Sequence, residues 1–204
     1  MITIIDYKTG NYGSVLNMLK KIGAEAVISS DILDIEKADK LILSGVGSFD
    51  TGIKNLQELE ILPVLNKKVL ENKTPILGIC LGMQLFAKKS EEGKLTGLGW
   101  IDAEVVKFKF DKNKSDFKIP HMGWNIVETK KINVLFKNMT EEQRFYFVHS
   151  YHLMCDNEKD IIAETNYGYE FVSAIQKENI FGIQFHPEKS HKFGMRLLKN
   201  FVEL

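Results

Sequence analysis

Cys80 lies in Gly78-Ile79-Cys80-Leu81-Gly82, between a short apolar run and a helical pattern, with a glycine two residues to either side. A cysteine at such a strand-to-helix junction has the setting of a nucleophile elbow, in which a tight turn pushes the side chain outward. The flanking glycines let strand and helix approach without Cβ clashes. A free thiol, with a pKa of about 8.5, is mostly protonated at neutral pH. A helix N-terminus and a nearby imidazolium both favour the thiolate. The Leu81 N–H can then point at the oxyanion formed on a carbonyl that Cys80 attacks, and a second donor must come from elsewhere. Cys155 has no such bracket and reads as structural.

A cysteine nucleophile needs a general base held by a third group. The histidines are His121, His149, His152, His186 and His191. His186-Pro187-Glu188 stands out, because Pro187 favours an extended backbone at His186. In an extended chain residues i and i+2 share a side, so Glu188 is expected beside the imidazole, fixing its tautomer. His149-Ser150-Tyr151-His152 lacks the spacing and the carboxylate of a zinc site. Gly45-Val46-Gly47 is half a dinucleotide fingerprint with no third glycine at the required place. Neither a metal nor a cofactor is expected.

Elements must carry Cys80 and His186 to one place. Ile2–Ile5, Ala26–Ile28, Leu41–Leu43 and Pro75–Ile79 read as buried strands. Helical patterns fall over Val15–Ile22, near Thr51–Leu56 and Pro63–Glu71, and from Leu81 onward. Strands alternating with helices imply a parallel sheet covered on both faces. The second half alternates instead, over Glu104–Phe108 and part of Arg144–Tyr151, with a hairpin at Ala174–Phe185 and a closing helix through Phe193, Leu197, Leu198 and Phe201. Residues 111–118 read as a polar loop. The expected fold is α/β: an open, mostly parallel central sheet with helices on both faces and antiparallel additions in the C-terminal half. The expected organisation is one domain over residues 1–204. Lys+Arg and Asp+Glu are 27 each, so zero net charge argues against a broad nucleic-acid footprint or a charged membrane surface. Two distant cysteines, no signal peptide and no membrane-length apolar run point to a cytoplasmic protein.

The Gly-x-Cys-x-Gly elbow followed about a hundred residues later by His-Pro-Glu resembles the class I glutamine amidotransferases. The finer resemblance is to the branch of glutaminase subunits of imidazole glycerol phosphate synthase. It is carried by Ile5-Asp6-Tyr7 with Gly10-Asn11, by Ser44-Gly45-Val46-Gly47-Ser48-Phe49, and by the elbow through Gln84. Pro120-His121-Met122-Gly123-Trp124-Asn125, Tyr146 to Tyr151 and Asn179 to Ser190 extend it over nearly the whole chain.

The resemblance implies hydrolysis of L-glutamine to glutamate and ammonia by Cys80, His186 and Glu188. It implies that Val46 and Gly47 supply the second oxyanion donor, and that Gln84, Ser150 and Tyr151 line the glutamine pocket. It further implies a heterodimer with a HisF-like (βα)8-barrel synthase that receives the ammonia in histidine biosynthesis. Asn11, Met122, Trp124, Asn125 and Lys189 match positions facing that barrel. Two departures spare the triad: Ser44 replaces a proline, and His191 replaces a glycine after Pro-Glu-Lys-Ser. Delivery of ammonia for amidation of a bacterial surface sugar is the main alternative; a cysteine hydrolase and a non-catalytic binding subunit are the others.

Overall fold

The computed structural model describes residues 1–111, 117–139 and 142–204. Most of the polar loop expected over 111–118 lies outside the described residues. The first half runs β1 (Ile2–Ile5), α1 (Tyr12–Lys21), β2 (Ala26–Ser29), α2 (Ile32–Lys37), β3 (Lys40–Gly45), α3 (Phe49–Glu58), α4 (Leu62–Asn66), β4 (Ile76–Cys80) and α5 (Leu81–Leu85). Then come β5 (Lys89–Ser90), β6 (Ala103–Lys107), β7 (His121–Ile126), β8 (Glu128–Thr129), β9 (Arg144–His149) and β10 (Tyr151–Cys155). The chain closes with β11 (Ile161–Asn166), β12 (Glu170–Lys177), β13 (Ile180–Ile183) and α6 (His191–Val202).

The large sheet follows the order β2-β1-β3-β4-β13-β12-β10-β6-β5. The run from β2 to β13 is parallel throughout, and β12 joins it antiparallel. The β1-to-β2 connection runs in one direction and the connections from β2 to β3 and β3 to β4 in the other. Right-handed crossovers therefore place α1 on one face and α2 to α4 on the opposite face. α6 packs on α1, and α5 packs on α3, so both faces are covered. This is why β1, β4 and β13 are buried at every residue. The strand order reverses between β1 and β3, and ligands of open α/β sheets bind beyond the strand ends at such a point.

Two elements lie outside the sequence expectations, and one alternating stretch divides. α2 has only six residues, too few to give a helical period, and it is started by Asp31 accepting a hydrogen bond from Leu33 N at 2.7 Å. β11 carried no clear alternation and forms by pairing with β12 and β8. The alternation expected in part of Arg144–Tyr151 is β9, which pairs with β7 in a separate two-stranded sheet, while β10 pairs with β6 and β12 of the large sheet. The chain changes sheets at Ser150. The Ala174–Phe185 hairpin is present, turning through Glu178 at φ 52°.

Gly82 passes so close to β3 that an added Cβ would overlap the Leu43 carbonyl oxygen, while a Cβ on Gly13 in α1 would meet nothing within 4 Å. Gly82→Ala is expected to destabilise the fold by about 3 kcal/mol, because backbone cannot yield to overpacking. Gly13→Ala is expected to be neutral or to stabilise by about 0.5–1 kcal/mol. Urea unfolding of both variants measures the contrast.

Candidate active site

Cys80 ends β4 and opens α5 with φ 53° and ψ −110°. A side chain rarely occupies that region, and the conformation persists only where the surroundings enforce it. Here β4 is clamped between β3 and β13. A Cβ on Gly78 would stand 2.7 Å from the Met83 nitrogen, so the helix could not turn back over the strand with any larger residue there. Leu81 is the first residue of α5, and its N–H therefore has no intrahelical acceptor.

His186 lies just beyond the end of β13, the strand beside β4. Its backbone is pinned to β9: His186 N donates to Tyr146 O at 2.9 Å, and Tyr146 N donates to Ser190 Oγ at 3.0 Å. Ser190 Oγ in turn donates to His186 O at 2.6 Å. His186 Nδ1 lies 2.8 Å from Glu188 Oε1, and both side chains are 2% exposed. The expected pairing is present, but its route differs. Only His186 is extended, and Pro187–Lys189 form one 3-10 turn that swings Glu188 back to the ring. Pro187 starts that turn, where its fixed φ fits and no N–H is needed.

His186 Nε2 is buried without a well-formed hydrogen bond, yet the Cys80 thiol is near enough to act on it. Burial pushes the ring's pKa down, and the interactions with Cys80 and Glu188 outweigh it, raising the pKa to about 10. At neutral pH the ring is an imidazolium facing the sulfur. Gln184 Nε2 also approaches Cys80 Sγ, at 3.6 Å. Cys155 is half-buried, and burial pushes its thiol up to about 12, so it stays protonated.

Cys80 opens into a cavity of about 360 Å³. Val46, Gly47, Leu81, Gln84, Ser150 and Tyr151, all singled out in the sequence, line it. Glu92, Val148 and His149 line it too, and nothing local in Ser90-Glu91-Glu92-Gly93 marks the Glu92 carboxylate beforehand. Gln84 is held rigidly: its Nε2 donates to Tyr151 O and to Gln184 Oε1, each at 2.9 Å. The loop after β3 is held as well. Val46 N donates to Thr9 O at 2.6 Å. The Thr9 segment is itself pinned by the Tyr12 hydroxyl, which accepts from Tyr7 N at 3.1 Å and Thr9 N at 2.9 Å. A larger, open cavity of about 650 Å³ between Thr129 and Gln143 has no described His, Cys, Asp or Glu in its lining.

β7 alternates between faces. Met122 and Trp124 point outward, 61% and 47% exposed, whereas Asn125 turns inward toward His121 and Asn166. Trp124 and Asn125 therefore point to opposite sides of the strand. Trp124 stacks parallel on His191, ring centroids 5.5 Å apart, and meets Tyr146 edge-on. Lys189 Nζ sits 5.5 Å over the Tyr146 ring. Asn11 is exposed at the start of α1. His191 adopts φ 45°, the left-handed conformation that a glycine takes without strain.

Because its folded pKa lies above the ordinary 6.5, protonated His186 stabilises the fold fully below about pH 6.5, and this is lost as pH rises through about 10. NMR titration of the ring is expected to give a midpoint near 10. In Cys80→Ala the upward pull of the thiol is gone and the midpoint falls.

The class I glutamine amidotransferase sequence profile matches residues 3–204. The chain is 58% identical to the imidazole glycerol phosphate synthase subunit HisH 2 of Methanococcus maripaludis, covering 100% of this chain and 99% of that protein. It is 50% identical to the HisH 2 subunit of Pseudomonas aeruginosa and to a HisH 1 subunit of Campylobacter jejuni, covering 100% of each chain. A crystal structure of a glutamine amidotransferase superposes with TM-score 0.76 at 20% identity, covering 99% of this chain and 97% of that one. PurLQS from Thermotoga maritima does so with TM-score 0.72 at 16% identity and the same coverage. A strained cysteine elbow beside a buried His–Glu pair is what that family's sequence profile spans here, and the chain belongs to the class I glutamine amidotransferases.

Proposed function

We propose that residues 1–204 form one glutaminase domain, the cytoplasmic subunit of an imidazole glycerol phosphate synthase, that supplies ammonia to a HisF-like (βα)8-barrel in histidine biosynthesis. The observation that carries the chemistry is Cys80, held at φ 53° beside the His186–Glu188 pair at the mouth of a pocket. Full-length identity to HisH subunits supports the pathway.

Cys80 Sγ attacks the side-chain carbonyl carbon of glutamine, and the carbonyl oxygen becomes an oxyanion facing Leu81 N–H. His186 gives its Nε2 proton to the amide nitrogen, the C–N bond breaks, and ammonia leaves a glutamyl thioester. Water then attacks the thioester, His186 Nε2 takes its proton, and collapse releases glutamate and the sulfur. Glu188 keeps the Nδ1 proton in place through both halves. Glu92 offers a carboxylate to the α-ammonium of a free amino acid, which favours glutamine over a peptide.

Val46 is held away from the oxyanion role the sequence suggests for it. Val46 N–H is spent on Thr9 O, so the peptide before Val46 must rotate before it can serve the oxyanion. The exposed side chains of Met122, Trp124 and Lys189 offer a docking face for the barrel subunit that would bring this about. Coupling of this kind keeps glutamine from being hydrolysed when no acceptor is bound.

A second reading, ammonia for amidation of a surface sugar, draws support from the names HisH 2 and HisH 1 among the relatives, since a numbered copy leaves room for a separate acceptor.

Glutamate release by the purified chain, alone and with a HisF-type subunit with or without its pathway nucleotide, tests both readings. Strong stimulation by the nucleotide, abolished in Cys80→Ala, is expected for histidine biosynthesis. Stimulation by the barrel that ignores the nucleotide moves the acceptor to a sugar, and no glutamine turnover under any condition sinks the glutaminase reading. Tyr12→Phe strips the acceptor that two backbone N–H groups share and loosens Thr9. Its glutaminase rate without the barrel is expected to rise about five-fold, the size of one neutral hydrogen bond. An unchanged rate would show that the Thr9 tether does not limit the resting enzyme.

A further inference from the structure

His121 and His149 face each other across β7 and β9, both buried, and take no part in the reaction derived above. Their bonds run in one direction. Asn125 Nδ2 donates to Asn166 O at 3.0 Å, which fixes the amide's orientation, and lies 3.2 Å from His121 Nε2. With a donor facing it, Nε2 must be bare, and His121 carries its proton on Nδ1. That nitrogen lies 2.9 Å from His149 Nε2, and His149 Nδ1 lies 2.8 Å from Tyr151 O. A carbonyl only accepts, so the far end demands the same polarity: His149 is also protonated on Nδ1. Each end of the chain thus dictates the same tautomers.

The chain continues into the pocket. Tyr151 O also accepts from Gln84 Nε2, whose second hydrogen goes to Gln184 Oε1, and Gln184 Nε2 reaches Cys80 Sγ. The rings are held in plane: His121 stacks between Phe147 and Tyr167, centroids 4.7 and 4.0 Å away, each at 27°. Burial lowers the pKa of His121 to about 4 and that of His149 well below the ordinary value, so each ring carries one proton at neutral pH.

We propose that His121 and His149 are positioning residues for glutamine, the middle links of a hydrogen-bond chain in which Asn125 on β7, His121 and His149 each donate toward the Tyr151 carbonyl, the same carbonyl that anchors Gln84 Nε2. The proposal rests on the glutaminase reading for the role of Gln84. β7 carries Met122 and Trp124 on its outer face and Asn125 and His121 on its inner one, so whatever docks outside presses on the relay. Reversing both rings would aim a bare His149 Nδ1 at the Tyr151 carbonyl and set the Asn125 and His121 N–H donors against each other, and the carbonyl that anchors Gln84 would lose a donor.

Two measurements test it. In 15N NMR of the intact chain, both rings are expected as the Nδ1–H tautomer, and this reading needs no turnover. His121→Phe keeps the stack but removes the donor to His149. His149→Phe removes the donor to Tyr151. Each is expected to raise the KM for glutamine about ten-fold with kcat changed less, and the double variant to be no worse than His149→Phe alone. Two independent packing residues would instead give multiplicative effects, and that result, or Nε2–H tautomers in the wild type, overturns the relay. If a Phe variant loses its cooperative unfolding transition, the wild-type tautomers decide. Absence of glutamine turnover in the wild type counts against the glutaminase reading and leaves the tautomer result standing.

Discussion

The close packing of α5 on β3 and β4 is the constraint from which the site follows. Gly78 and Gly82 remove the two Cβ atoms that would hold helix and strands apart. Only then can the chain reverse direction in a single residue, and that residue is forced to φ 53°. The strain, of order 1–3 kcal/mol, is borne by a core in which β3, β4 and β13 lie buried side by side. In return the sulfur is presented at a strand end, with the Leu81 N–H beside it. A relaxed turn would need more residues and would lose that donor's alignment.

Electrostatics follow from the same placement. His186 lies beyond the neighbouring strand β13, so ring and sulfur meet because β4 and β13 are adjacent and parallel, with Gly182 opposite Gly78. An imidazolium in such a buried place needs compensation, and Glu188 provides it at 2.8 Å. Pro187 makes the compensation local, since a 3-10 turn returns the carboxylate to its own histidine without help from elsewhere. Cys80 and the His186–Glu188 pair are therefore brought together by the fold itself. The loop after β3 is held elsewhere, because Val46 N–H is committed to Thr9 O.

What the sequence disclosed divides along the same line. Cys80, His186 and Glu188 were legible because each depends on neighbours within two residues, and so were the parallel strands with their unbroken apolar runs. Glu92, the Val46–Thr9 bond and the His121–His149 contact were not, because each joins segments between 28 and 43 residues apart or crosses from one loop to another. Pro-His-Met-Gly-Trp-Asn was readable as a motif, but the division of Trp124 from Asn125 waits on the β7–β9 register. α2 and β11 escaped for a related reason: their conformation comes from a cap and from pairing partners, and neither carries a period of its own.

That division bears on control. Cys80, His186 and Glu188 are fixed by short motifs and a rigid sheet, which tolerates little movement. The tethers on Val46 and Gln84 are Thr9 in the loop after β1, Tyr151 in β10 and Gln184 beyond β13, and the two-stranded sheet reaches the Tyr151 carbonyl through His149. β9 belongs to both arrangements: it carries Tyr146, which pins His186, and His149, which faces Gln84's carbonyl anchor. A force applied to the outer face of β7 reaches β9 through six paired residues before it reaches any catalytic group. A two-stranded sheet is only marginally stable on its own. On the proposed reading, it lies between the exposed face of Met122 and Trp124 and the pocket, so a small displacement there alters substrate positioning while Cys80 stays where the glycines put it.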